Sequence, residues 1–166
     1  MITRVNGPQV WQRWKAAKRL ALLAIFEDSV TGMRVKEFCQ GLSRNLGEQC
    51  QIVEHVWLFN TLRLRELQEI AAEEASASDL VVISVHQTEG LPDDVKNWID
   101  LWLRQKGSRH AVLLALLDPL YEGAFGPTEA YLEEVATRGG MEFLVGSTDV
   151  PVSGWHARGR GGDVEA

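Results

Sequence analysis

The chain has 166 residues, 45% of them apolar and 24% charged, with six tryptophans. That size predicts a single domain with extensions, with a core large enough to need no metal or disulfide staple. Seventeen basic against 23 acidic residues, net −6, excludes a general nucleic-acid binder, which carries a basic excess.

Charge is distributed unevenly. Residues 1–20 carry Arg4, Arg13, Lys15, Lys18, Arg19 and no acid, a local +5. Residues 27–149 carry −11, and the last 17 residues are neutral. Val10, Trp11, Trp14 and Ala17 give residues 8–19 an amphipathic helical pattern. The basic segment can meet an acidic surface of the same chain or of a partner.

Five apolar runs follow, at 20–26, 51–59, 80–86, 111–117 and 142–145. The first, third and fourth are apolar almost throughout, which suits parallel strands covered on both faces. The second and fifth contain Glu54, His55 and Glu142, which suits the two edges of a sheet. The first run is far short of the roughly 20 residues a membrane span needs, and it reads as a buried strand rather than the apolar part of a cleavable leader.

Helical patterns separate the runs. Val35, Phe38, Cys39, Leu42 and Leu46 form one stripe; Leu64, Leu67, Ile70 and Ala71 form another. Val95, Trp98, Ile99, Trp102 and Leu103 form the cleanest. Trp98 and Trp102 are expected to pack on the sheet, the alternative being an exposed stripe for a partner helix. Pro92, Asp93 and Asp94 suit a first helical turn. Gly126-Pro127 opens the last helix, which stops at Gly139-Gly140. Cys39 and Cys50 form no CxxC and read as core thiols of a reducing, cytoplasmic compartment. His55 and His110 read as structural.

The order β-α-β-α-β-α-β-α-β predicts a doubly wound α/β three-layer sandwich. Its five-stranded parallel sheet has the order 2-1-3-4-5, with the three most apolar runs inside. No helical pattern follows the fifth run. The basic helix within 1–19, or a second subunit, is expected to cover the face left bare beside a core of residues 20–146. Residues 147–166 read as a flexible tail in which Trp155 has no assigned place.

In this architecture ligands bind beyond the carboxyl ends of the strands, beside the first and third. The segment Ser29-Val30-Thr31-Gly32 resembles the flavodoxin S-x-T-G-x-T phosphate loop, with Arg34 where the last Thr is expected. Thr88-Glu89-Gly90-Leu91-Pro92-Asp93-Asp94 is similar to the flavodoxin T-W-x-x-G-x-L-x-D-D segment, without its Trp. Asp118-Pro119-Leu120-Tyr121 with Phe125 is similar to the D-x-x-Y-x-x-F segment whose tyrosine covers the flavin ring. The resemblance implies FMN as a cofactor, held by Ser29, Thr31, Gly32, Arg34, Thr88 and Tyr121. Against it, Glu27 and Asp28 stand beside the loop and repel a phosphate. Without a ligand, Ser29 or Thr31 would cap the helix and Gly32 would ease the turn.

Glu27-Asp28 also resembles the acidic pair of response-regulator receiver domains. The receiver phosphoacceptor aspartate is missing, however, because the third run ends Ser84-Val85-His86. Leu117-Asp118 and Gly146-Ser147 replace the receiver Ser/Thr and Lys. The reading favoured from sequence is therefore a non-catalytic regulatory or protein-interaction domain of bacterial type, without cofactor, with a protein partner or a second copy of itself. FMN-dependent electron transfer is the alternative. The third reading is a small hydrolase, with Glu27, Asp28 and Asp118 holding a metal and His86 in the switch-edge pocket. No G-x-S-x-G, Walker A or H-E-x-x-H pattern supports it.

Overall fold

The computed structural model describes residues 7–86, 90–118, 126–146 and 156–157. Helix α1 (Gly7–Ala16) precedes strand β1 (Arg19–Phe26). Then follow α2 (Ser29–Leu46), β2 (Gln51–Leu58), a 3-10 turn (Phe59–Arg63), α3 (Arg65–Ser76) and β3 (Leu80–Ser84). The chain continues through α4 (Asp93–Lys106), β4 (Val112–Leu116), α5 (Pro127–Gly139), β5 (Glu142–Gly146) and a two-residue β6 (His156–Ala157).

Strands β1 to β5 are parallel in the order 2-1-3-4-5, the doubly wound flavodoxin-like arrangement. Strand β6 adds an antiparallel pair beyond β5, with Leu144 opposite Ala157 and Val145 opposite His156. Two such residues carry no apolar periodicity, so this pairing lay beyond sequence reading. Every residue of β3 and β4 is buried, as interior strands require. Strand β2 has no fully buried residue and, among the described residues, ends the sheet.

The period of two along the strands divides the core. On one face Leu23, Ile25, Val81, Ile83, Leu113 and Phe143 pack under α3, α4 and α5. On the other, Leu22, Ala24, Val82, Leu114 and Leu144 pack with Phe38 and Leu42 of α2 and with Val10 and Trp14 of α1. Helix α1 thus shares the core layer of α2, where a helix following β5 would otherwise lie. Arg13 fixes it there by a two-pronged ion pair with Glu142, a β5 carboxylate that is 4% exposed and also lies 3.4 Å from His110 Nε2.

Trp98 and Trp102 are fully buried and stack, with centroids 5.4 Å apart and planes at 21°. That overturns the exposed partner stripe: a helix with its apolar stripe on the sheet has no second apolar face to offer. Pro92 is the N-cap of α4, one position earlier than the first helical turn, and its carbonyl accepts from Val95 and Lys96. Gly140 ends α5 in the left-handed conformation at φ 64°, where glycine has no Cβ penalty. No helix of the described residues is long and apolar enough to cross a membrane.

Candidate functional site

The strand register sets the site. Phe26 is level with Ser84, and Ser84 with Leu116. The residues just beyond these ends, Glu27 and Asp28, His86, and Asp118, therefore converge at the carboxyl edge by β1 and β3, where the fold leaves a crevice.

Asp28, rather than Ser29 or Thr31, caps α2. Its carboxylate accepts from the Thr31 backbone N–H at 3.0 Å, while the Thr31 hydroxyl accepts from the N–H groups of Asp28 and Glu27 at 2.9 and 2.8 Å. This reciprocal box satisfies donors that a helix start otherwise leaves open. Asp beats Ser and Thr here because the carboxylate also meets the positive end of the helix. The spacing of an Asp three residues before a Thr was the available signal. Ser29 is exposed in the first turn. Thr31 is fully buried, and its carbonyl accepts a 2.9 Å bond from the buried Ser84 hydroxyl, tying β3 to α2.

Gly32 has a packing reason. A Cβ there would lie 2.9 Å from two Phe26 ring carbons, so glycine permits the ring to close against the helix start.

His86 stands between two carboxylates. Its Nδ1 is 2.9 Å from Asp118 Oδ1, and its Nε2 is 2.9 Å from Asp28 Oδ2. Carboxylates only accept, and a neutral imidazole donates from one nitrogen. Only the imidazolium satisfies both contacts. The Asp118 hydrogen bond, with that of Asp28, raises the His86 pKa against the opposing effect of burial. Burial would raise the Asp118 pKa, but hydrogen bonds from Arg34 and His86 carry it below the ordinary value. Asp28 is lowered chiefly by the Thr31 backbone bond.

Arg34 reaches across from α2 to Asp118 at 2.6 Å. Glu27 is exposed and accepts from the His86 backbone N–H at 3.1 Å. The edge is thus a network of three carboxylates, a guanidinium and an imidazolium. Among the described residues no group of three or more His, Cys, Asp or Glu is arranged to hold a metal ion. Thr88, Tyr121, Phe125 and Trp155 lie outside the described residues. His55 Nδ1 lies 3.5 Å from Glu74, which also receives the Trp57 indole N–H at 2.8 Å. Cys39 is buried, and desolvation with Glu54 nearby pushes its thiol up to about 12, leaving it protonated.

The fold and this edge define a doubly wound α/β domain of flavodoxin-like architecture. No protein-family model matches the chain, and no curated protein does. A solved structure described as the Trp repressor binding protein from Bacillus subtilis is similar at 16% identity and a TM-score of 0.48. The likeness covers 78% of this chain and 86% of that one. The fold assignment rests on the strand order itself.

Proposed function

We propose that the chain is a non-catalytic regulatory or protein-interaction domain whose switch edge is closed by its own charges. The carrying observation is the position of Asp28. Its carboxylate accepts from the N–H at the start of α2 and from His86, in the seat where a flavodoxin-like loop would receive a phosphate. The Thr31 hydroxyl is engaged in the same box, and Arg34 is engaged by Asp118.

The same contacts count against the other readings. Ser84 stands at the end of β3 and its hydroxyl is buried against Thr31, which supports a receiver-like domain without aspartyl phosphorylation. General-base chemistry by His86 would need a free ring nitrogen, and both face carboxylates. Asp28 and Asp118, two of the three metal-ligand candidates, already neutralise His86 and Arg34.

The test is direct. The purified full chain is titrated with FMN, incubated with acetyl phosphate, and melted with and without Mg²⁺ or Mn²⁺. The expected result is no quenching of flavin fluorescence, no phosphoryl mass gain and no metal-dependent rise in Tm, because a ligand of the native state alone raises stability. Saturable flavin binding, a phosphoryl adduct or a metal-induced stabilisation abolished by Asp28→Asn would overturn the reading.

A further inference from the structure

We propose that β2 is a dimerisation edge, through which two copies of the chain pair antiparallel about a twofold axis at His55. This rests on the edge alone and not on the reading of the charged site.

Among the described residues strand β2 ends the sheet, with β1 as its one neighbour. The Gln51 N–H faces β1, donating to the Lys18 carbonyl at 2.9 Å. Alternation then turns the backbone N–H and C=O of Ile52, Glu54, Val56 and Leu58 outward, to the side where the described residues place no further strand. The Leu58 carbonyl additionally accepts from the Thr61 hydroxyl at 2.6 Å. Edges of monomeric proteins are blunted by charged side chains, especially Lys, by Pro, by bulges or by short length. Strand β2 carries one acid, Glu54, but no Lys, Pro or bulge, and its eight residues, QIVEHVWL, hold unbroken register with β1.

Apolar exposure gathers at the same edge. Of the five large apolar side chains exposed among the described residues, Val56 (47%) lies on β2, Leu64 (60%) follows the turn that β2 enters, and Ile70 (45%) stands on α3. Ile70 is one turn before Glu74, which touches Trp57 and His55 of β2.

The occupant follows from self-complementarity. A twofold axis normal to the sheet places residues of one face opposite residues of the same face, so the two central registers turn about Glu54 or about His55. The first opposes two carboxylates and sets Gln51 against Trp57. The second sets Ile52 against Leu58, Val53 against Trp57 and Glu54 against Val56. Like-charged pairs directly opposite destabilise and apolar pairs stabilise, which selects His55. In that register the outward groups of Glu54 and Val56 bond each other across the interface, and the two His55 residues form a non-hydrogen-bonded pair with Cα atoms about 4.5 Å apart.

Sedimentation equilibrium of the full chain tests the oligomer. The wild type is expected to be a dimer, and Val56→Lys, at an exposed position, to weaken it at least about tenfold with unchanged circular dichroism. His55→Cys, oxidised, is expected to form an intermolecular disulfide efficiently, because the geometry suits one, and Glu54→Cys far less. A wild type that stays monomeric, including one that binds a foreign strand instead, overturns the proposal. So does a dimer that survives Val56→Lys while His55→Cys fails to cross-link.

Discussion

The Arg34 guanidinium and the Asp118 carboxylate meet at 2.6 Å with both side chains only 16% exposed, joining residues 84 positions apart in sequence. Such a pair, half out of water, contributes little beyond a hydrophobic substitute but costs much when one partner is removed. Arg34→Met leaves Asp118 with His86 as its remaining charged donor. The expected loss is about 1.5–3 kcal/mol in urea unfolding at neutral pH. Adding Asp118→Asn should recover part of that loss, because no buried charge is then left unpaired. Strict additivity of the two substitutions would show that the pair is not coupled.

The charged edge sets a pH window. The folded pKa of His86 is raised, so its stabilising contribution is full below its unfolded value near 6.5 and fades as pH rises through the folded value. The folded pKa values of Asp28 and Asp118 are lowered, so theirs is full above the unfolded value near 3.8 and fades as pH falls through the folded values. Stability should therefore be greatest between mildly acidic and neutral pH. His86→Gln should flatten the alkaline limb and leave the shape of the acid limb largely in place. Long-range nitrogen–proton NMR of the wild-type ring at pH 6 should show both nitrogens protonated. A ring titrating at or below its unfolded value would contradict the doubly bonded geometry.

The N-cap can be tested apart from the charge. Asp28→Ser keeps a side-chain oxygen for the Thr31 N–H and loses the His86 partner, whereas Asp28→Ala loses both. The alanine variant should be less stable than the serine variant by about 1 kcal/mol in chemical denaturation. Equal stabilities would mean that Asp28 acts through His86 alone.

The sequence carried the architecture because apolar periodicity reports burial directly. The runs around β1, β3 and β4 are apolar on both faces because helices cover both, and Glu54 with His55 marks β2 as an edge. The gathering of Glu27, Asp28, His86 and Asp118 was legible too, since fold class alone places strand ends together. Their pairing was not. Which carboxylate meets which nitrogen depends on register and rotamer, and neither leaves a periodic trace. Gly32 shows the same limit. It read as a phosphate-loop or turn glycine, yet its demand comes from the Phe26 ring, six residues away and packed by tertiary geometry.

That close approach gives a sharp outcome. In an exposed helix, glycine to alanine gains up to about 1 kcal/mol. At Gly32 the added methyl meets Phe26 ring carbons at 2.9 Å, and such overpacking costs about 1–3 kcal/mol. Gly32→Ala should therefore be net destabilising, with Phe26→Leu restoring part of the loss in the double variant. A stabilised Gly32→Ala protein would show that the ring moves freely.

Helix α1 makes the strongest demand on the N-terminal segment. Trp14 is 4% exposed and Val10 1%, and both join the cluster that includes Leu114 and Leu144. Without α1, the apolar face of β4 and β5 would meet water, since no helix of the described residues follows β5. Trp14→Ala should cost about 3–5 kcal/mol. Arg13→Met keeps much of the apolar stem and strands the Glu142 carboxylate, which is 4% exposed, with the His110 ring, 3.4 Å away, as its remaining side-chain neighbour. Its cost should be smaller than that of Trp14→Ala, because most of the packing of α1 is kept. Removing residues 1–18 should lower Tm well beyond either single change and expose surface that binds a hydrophobic dye. If the truncated chain melts like the full one, α1 is an appendage and another surface, or a second copy, covers β4 and β5.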